Sequence, residues 1–165
     1  DVRAAVVSGD LLKVESKTVK FTLALGAKKA TAWAKKILNP PSLADKLGVK
    51  PGVNVTVIGG RIAEIDDAVS SAAKAKRIAS LAKAKTGLAS ADIVCLALSA
   101  AAEKEIATAA MMIGNRTALW FVYRKGAKPN GDDVIRLARA AGLKDTKVAR
   151  VSETHAALRF IRAKG

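Results

Sequence analysis

Residues Leu43–Gly60 form the segment LADKLGVKPGVNVTVIGG, which has the pattern of a short helix, a tight turn and an apolar strand ending in two glycines. Elements in this order open the α/β domains that bind nucleotides, where glycine lets the backbone approach a ligand or the next helix. Gly59 and Gly60 are therefore candidate binding residues, although two glycines are only a fragment of a glycine-rich fingerprint. The segment predicts an α/β fold and specifies no reaction.

From Leu43 onward, helical and strand patterns alternate along the chain. Strands separated by helices predict a mostly parallel sheet between two helical layers. The stretch from Arg61 to about Ala84 is largely helical by propensity, and a short strand within Arg77–Leu81 is an alternative that periodicity leaves open. The other predicted elements are a short helix at Leu43–Leu47, a strand at Val53–Ile58, a buried central strand at Ile93–Leu98, a helix at Ala100–Ile113, a strand at Ala118–Tyr123, a helix at Val134–Ala141 capped by Asp132 or Asp133, and an antiparallel pair of strands at Lys147–Val151 and Ala156–Ile161.

The first forty residues predict a separate small unit, a β-meander followed by one helix. Asn39-Pro40-Pro41 ends the helix, because proline lacks an amide hydrogen and disfavours helical geometry in the preceding residue. We therefore divide the chain into residues 1–40 and 41–165. A unit this small buries too little apolar surface to fold alone, so we expect it to dock on the following domain, on a symmetry mate in a homo-oligomer, or on a missing N-terminal region. Its predicted elements are strands at Val2–Val7, Leu11–Glu15 and Thr18–Leu25 and a helix at Ala27–Leu38.

The chain is strongly basic, with 29 Lys and Arg against 14 Asp and Glu and a net charge of +15. Such a charge attracts polyanions, so nucleic acid is a candidate partner. No aromatic residue stands within the densest group of cations, whereas proteins that bind single strands or RNA stack bases on aromatic rings. The simpler interpretation is that lysines keep an alanine-rich surface in solution. The densest group comprises Lys74, Lys76, Arg77, Lys83 and Lys85.

Other features argue against whole classes of protein. No apolar run approaches the roughly 18 residues of a membrane span, and the N-terminus lacks a secretory-signal pattern, so we expect a cytoplasmic protein. The single cysteine, Cys95, lies in the apolar run ADIVCLAL and is expected to be a small buried residue rather than a nucleophile. One histidine and one cysteine, far apart, do not supply the ligands of a metal site.

Four segments that span most of residues 33–161 resemble an uncharacterised bacterial family. They are WAKKILNPPSLADKLGVKPG, ADIVCLAL, ALWFVYRKG and AGLKDTKVARVSETHAALRF. Members of this family carry a methyltransferase-like α/β domain, often behind a small pleckstrin-homology-like domain. The resemblance implies a three-layer Rossmann-like core similar to that of S-adenosylmethionine-dependent methyltransferases, and it implies no established activity.

The same resemblance gives the first unit an identity. Its meander and helix look like the last strands and closing helix of a pleckstrin-homology-like barrel, with Trp33 packed into the barrel mouth. The earlier barrel strands have no counterpart here. This points to a truncated or processed chain, or to a natural member that has lost half the barrel.

The resemblance also implies a cofactor site, from which this sequence departs. In methyltransferases the first strand of the domain ends in an acidic residue followed by glycines that hold S-adenosylmethionine. Here Val57 stands at the acidic position, and Arg61 puts a cation where the cofactor's carboxypropyl group would pass. The stretch after it has no acidic residue to bind the ribose. The candidate cofactor-binding residues are Gly59, Gly60, Arg61 and Ser99, the last because it follows a central strand at its carboxyl end.

His155 is the only histidine in the chain, and free histidine titrates near neutral pH. Glu153 lies two residues before it, so the two side chains could share one face of a strand. Beside a pocket, such a pair could act as a general acid and base. The simpler interpretation is a structural histidine at a hairpin tip or at the end of a sheet.

Three hypotheses for function follow. The first is a non-catalytic ligand-binding or interaction module on a methyltransferase-like fold. The second is an S-adenosylmethionine-dependent methyltransferase with a degenerate glycine loop. The third is a nucleic-acid-binding protein that uses Lys74–Lys85 and the basic loop that begins at Arg124.

Overall fold

The computed structural model describes residues 2–72, 74–84 and 88–163. The chain divides into two compact units, with the division between Ser42 and Leu43. The strands are β1 (Val2–Ser8), β2 (Leu11–Ser16), β3 (Lys20–Ala24), β4 (Asn54–Ile58), β5 (Lys74–Ile78), β6 (Ile93–Ala97), β7 (Ala118–Arg124), β8 (Leu143–Arg150) and β9 (His155–Arg162). The helices are α1 (Ala27–Leu38), α2 (Leu43–Leu47), α3 (Ala63–Val69), α4 (Ala102–Met112) and α5 (Gly131–Ala140), and two 3₁₀ turns occupy Leu81–Lys83 and Leu88–Ser90.

The first unit is the predicted meander and helix. β1, β2 and β3 form an antiparallel sheet in that order, and α1 packs on one face of it. Leu12 and Val14 alternate toward the helix, where they meet Ala30 and Ala34, because successive strand residues point to opposite faces. Trp33, which the family resemblance placed in a barrel mouth, is 50% exposed.

The second unit contains a six-stranded sheet in the order β5-β4-β6-β7-β9-β8. The first four of these strands are parallel, and β9 runs antiparallel to both β7 and β8. This confirms the predicted α/β fold with a mostly parallel sheet and a C-terminal antiparallel hairpin. After β4 the chain passes through α3 to β5, which lies on one side of β4 in the sheet. It then returns to β6, which lies on the other side of β4. The sheet therefore has a topological switch point between β4 and β6.

Helices cover both faces of this sheet, so consecutive strand residues enter two different cores. Val57 and Trp120 belong to the core beneath α2 and α3, whereas their neighbours Ile58 and Phe121 belong to the core beneath α4 and α5. The rings of Phe121 and Phe160 pack with centroids 5.3 Å apart. Because the central strands are buried on both sides, they read as continuous apolar runs, and this explains why Ile93–Leu98 was recognisable in the sequence.

The predicted helix from Arg61 to about Ala84 is wrong. α3 ends at Val69, and β5 pairs with β4 from Lys74 to Ile78, so a strand does occur here, and its last two residues overlap the alternative strand at Arg77–Leu81. β5 is an edge strand with four exposed residues, KAKR, so it has no apolar run that would identify it. Pairing with β4 overrides the helical propensity of alanine and lysine.

Two boundaries near the C-terminus also differ from prediction. Asn130, rather than Asp132 or Asp133, caps α5: its side chain accepts from the Asp133 N–H at 2.9 Å, and the Asp133 carboxylate accepts from the Asn130 N–H at 3.1 Å. β8 starts at Leu143, four residues before its predicted beginning. The sequence pattern missed these residues because a bulge between Asp145 and Lys147 interrupts the alternation of buried and exposed side chains.

Cys95 lies in β6 and is 1% exposed, as predicted for a buried apolar residue. Burial raises the pKa of Cys95 to about 12, so the thiolate that reacts with electrophiles is scarce in the folded protein. We expect native protein in mildly alkaline buffer to resist alkylation by iodoacetamide and urea-unfolded protein to react fully. Intact-mass spectrometry measures both. Rapid alkylation under native conditions would show that β6 opens readily.

Among the helices in residues 2–72, 74–84 and 88–163, none combines the length and apolar character needed to cross a bilayer. Over the same ranges, no three His, Cys, Asp or Glu side chains lie close enough together to hold a metal ion.

Candidate functional site

A cleft of about 600 Å³ lies at the carboxyl ends of the parallel strands in the second unit. The loops after β4, β5 and β6 form its walls, and the end of β7 and the start of β9 close one side. It spans the switch point between β4 and β6, where open α/β sheets bind their ligands. We call it the carboxyl-edge cleft. Its lining includes two glycines and six residues with polar or charged side chains: Gly59, Gly60, Arg61, Ser80, Ser99, Glu105, Arg124 and His155.

The two glycines of the β4 loop have different roles. Gly59 has a φ of +94°, and its N–H donates to the carbonyl of Ile78 at 3.0 Å. A Cβ at this position would lie 2.9 Å from the carbonyl oxygen of Ala97, so the glycine lets the β4 loop pack against the end of β6. At Gly60 a Cβ would meet nothing within 4 Å, which leaves this residue's backbone open to the cleft.

Arg61 lines the cleft and is exposed, so it does not fill the space as a plug. Within the described part of the chain it forms no hydrogen bond or ion pair. Its guanidinium therefore keeps all its donors for a ligand. The sequence analysis identified Arg61 as a departure from the methyltransferase pattern, and the structure places that departure at the cleft.

Ser99 is held by α4. Its hydroxyl donates to one carboxylate oxygen of Glu105 at 2.9 Å, its N–H donates to the other at 2.9 Å, and its oxygen accepts from the Ala101 N–H at 3.1 Å. These bonds tie the β6–α4 loop to the first turns of the helix. Sequence reasoning missed Glu105, because an acidic residue near a helix N-terminus is already explained by the helix dipole.

The predicted pairing of Glu153 with His155 is wrong. Glu153 is highly exposed and forms an ion pair with Arg150 in the β8–β9 turn. The ring Nδ1 of His155 lies 2.9 Å from the hydroxyl oxygen of Thr154, and the residue sits directly across the β7–β9 ladder from Arg124. His155 thus lines the cleft, whereas Glu153 does not.

Arg124 is the cleft's second open cation. It is exposed at the end of β7, and no other side or main chain among the described residues hydrogen-bonds or pairs with its guanidinium. The cleft therefore combines two available guanidinium groups and a histidine with one carboxylate, Glu105, whose oxygens Ser99 already occupies. Its electrostatic character favours an anion.

Three of the five residues predicted to contact nucleic acid, Lys76, Arg77 and Lys83, line one groove of about 450 Å³. Arg77 pairs with Asp66 of α3 and donates to the Gly59 carbonyl at 3.4 Å, so its charge is neutralised within the chain. Lys76 and Lys83 line the same groove as Arg77 and form no ion pair with a described residue. Lys74 is exposed at the beginning of the strand, and Lys85 lies outside the described residues.

Comparisons with known proteins identify the fold. No protein-family model matches the chain, and no curated protein sequence matches it. Among solved structures, a putative type 11 methyltransferase from Sulfolobus solfataricus superposes with a TM-score of 0.54 at 12% identity, over 74% of this chain and 90% of that one. Magnesium protoporphyrin IX methyltransferase from Synechocystis, solved with bound S-adenosylmethionine, gives 0.51 at 13% identity, over 82% and 77%.

A third structure extends the same likeness. A TehB-like S-adenosylmethionine-dependent methyltransferase from Corynebacterium glutamicum superposes with a TM-score of 0.50 at 13% identity, over 82% of this chain and 97% of that one. Identities this low relate the folds and carry no residue roles across. The second unit therefore has a methyltransferase-like Rossmann fold.

Proposed function

We propose that this protein is a ligand-binding module on a methyltransferase-like fold, and that its carboxyl-edge cleft binds a small anionic molecule of nucleotide type. The observation that carries the proposal is that one cleft is lined by two guanidinium groups, those of Arg61 and Arg124, which have no partner among the described residues. Arginine binds phosphate and carboxylate through two parallel hydrogen bonds. A volume of about 600 Å³ is within the range of small-molecule sites.

The rest of the lining suits the remainder of such a ligand. Ile62, Leu81 and Leu98 give the cleft apolar patches against which a flat ring can pack. The open backbone at Gly60 leaves room beside Arg61 for a phosphate group. In this arrangement the arginines hold the anion, the apolar side chains hold the ring, and no reaction step is required of Ser99 or His155.

Calorimetry with ADP as the probe tests this proposal. We expect binding that weakens about 10-fold or more in Arg61→Gln and in Arg124→Gln, because each change removes charge-assisted hydrogen bonds. Arg136→Gln, which removes the same charge from the exposed face of α5, is the matched control and should change the affinity by less than about twofold. Absence of ADP binding, or equal binding by all four proteins, would contradict the proposal.

S-adenosylmethionine-dependent methyl transfer is the second candidate, favoured by an open cleft at the switch point of this fold. Arg61 suits the carboxylate of the cofactor. The ribose and ammonium groups fit less well: the loop after β5 offers Ser80 rather than an acid, and Glu105 is already bonded to Ser99. We therefore derive no transfer step. In the same calorimetry, low-micromolar S-adenosylmethionine binding without ADP binding would replace the first candidate by the second.

A further inference from the structure

A second basic site lies at the opposite edge of the sheet, near the amino ends of β4, β6 and β7. A pocket of about 250 Å³ is lined there by cations from four separate elements, together with the single carboxylate of Asp92. We call these cations the amino-edge cluster. The cluster comprises Lys46 of α2, Arg116 of the loop before β7, Lys147 of β8 and Arg159 of β9.

Strand register forces two of these cations together. Lys147 and Arg159 are direct partners across the β8–β9 ladder, where like charges destabilise a sheet. A bulge between Asp145 and Lys147 shifts the register of the ladder by one residue just before this pair. In the bulge, the hydroxyl of Thr146 donates to the Arg159 carbonyl at 3.2 Å. The strand register after the bulge therefore keeps Lys147 and Arg159 opposite each other, although their like charges repel.

The pocket lining holds four cations and one carboxylate, so its formal charge is positive. Elsewhere in the unit, cations pair with nearby acids, as Lys128 does with Asp133 and Arg139 with Asp145, both at 2.8 Å. Asp92 lines the pocket, and one of its oxygens accepts from the Asn54 N–H at 2.9 Å.

Lys147 is held in place without losing its charge. Its ammonium donates to the Lys46 carbonyl at 2.8 Å, in the last turn of α2. This hydrogen bond to the helix end is by itself a structural reason for a lysine at position 147. One hydrogen bond leaves two of the three ammonium donors available. Neither Arg116 nor Arg159 makes a side-chain hydrogen bond with any described residue, so no such structural role accounts for them.

We propose that the amino-edge cluster binds phosphate groups. Four positive charges around one pocket suit a multiply charged oxyanion, and arginine's planar group matches phosphate geometry. At about 250 Å³ the pocket is smaller than typical small-molecule sites, so it receives a single group while the rest of the molecule lies outside. Both a nucleic-acid backbone and free phosphate present this chemistry. The site shares no lining residue with the carboxyl-edge cleft or with the groove of Lys76, Arg77 and Lys83.

Fluorescence anisotropy with a labelled oligonucleotide, single-stranded and as a duplex, tests the nucleic-acid source across a salt series. We expect Arg116→Gln and Arg159→Gln each to weaken binding about fivefold or more and to reduce the salt slope by about 1, because each removes a phosphate contact. Arg136→Gln removes one charge outside the cluster and should change the affinity by less than about twofold.

Nitrogen-15 NMR with inorganic phosphate tests the free source. The Nε–Hε signals of Arg116 and Arg159 should shift on titration, and that of Arg136 should stay in place. The proposal is supported if either probe binds and Arg116 and Arg159 respond while Arg136 does not. The probe that binds then identifies the source of the phosphate group. The proposal is overturned if neither probe binds, or if the cluster variants behave as Arg136→Gln does. Circular dichroism of each variant separates lost binding from lost folding.

Discussion

Replacing Trp120 by alanine is expected to lower the free energy of unfolding by about 4 kcal/mol, the range measured when large aromatic side chains are removed from cores. Trp120 is fully buried in β7, within the core beneath α2 and α3. Its indole N–H donates to the carbonyl of Leu47 at 3.2 Å, which ties the end of α2 to the sheet. The substitution leaves both a cavity and a carbonyl without its donor. Urea denaturation followed by far-ultraviolet circular dichroism measures the loss.

Trp120→Phe separates these two contributions. Phenylalanine keeps most of the packing and removes the donor, so we expect a loss of about 1.5 kcal/mol, mainly from the unpaired carbonyl. A loss below about 1 kcal/mol for Trp120→Ala would mean that the side chain does not fill a close-packed core, and it would contradict the described contact between α2 and the sheet.

Substitution of Gly59 by valine should reduce stability by about 3 kcal/mol. A β-branched residue at a φ of +94° is strained by about 1–3 kcal/mol. Its Cβ would also lie 2.9 Å from the Ala97 carbonyl oxygen, and this backbone atom cannot turn away as a flexible side chain could. Thermal and urea unfolding of the purified variant measure the change.

The adjacent glycine is the matched control. Gly60→Ala places its Cβ in open space, so its free energy of unfolding should stay within about 0.5 kcal/mol of wild type. Equal losses at both positions would show that the loop tolerates neither side chain for reasons other than the contact with Ala97. A neutral Gly59→Val would mean that the loop adopts another conformation.

The elements that the sequence predicted well are those whose apolar pattern follows from burial. β6 and β7 are buried on both faces, and α1 carries one apolar face with proline beyond its end, so each has a local signal that matches its environment. β5 was placed wrongly because an edge strand needs little apolar content, and its Lys- and Ala-rich stretch is equally compatible with a helix.

The candidate site was predictable only in part. Gly59, Gly60, Arg61 and Ser99 were identified because each follows a strand that was recognised, and the carboxyl ends of parallel strands share one edge. Glu105 and Ser80 were missed: the first carries an ordinary helix-start signal, and the second follows the strand that was not located. Proximity in sequence suggested that Glu153 pairs with His155, but Glu153 forms an ion pair with Arg150 instead.

Local pattern thus determined the alternating order of helices and strands, the parallel sheet that this order implies and the burial of Cys95, since hydrophobic periodicity and chain-breaking residues act over a few positions. Tertiary structure alone decided which charges meet. Arg61 and Arg124 share a cleft, and Lys147 stands opposite Arg159, although 63 and 12 positions separate them along the chain. Electrostatic sites depend on distances in space, and these arise from strand order and register, which no local pattern records.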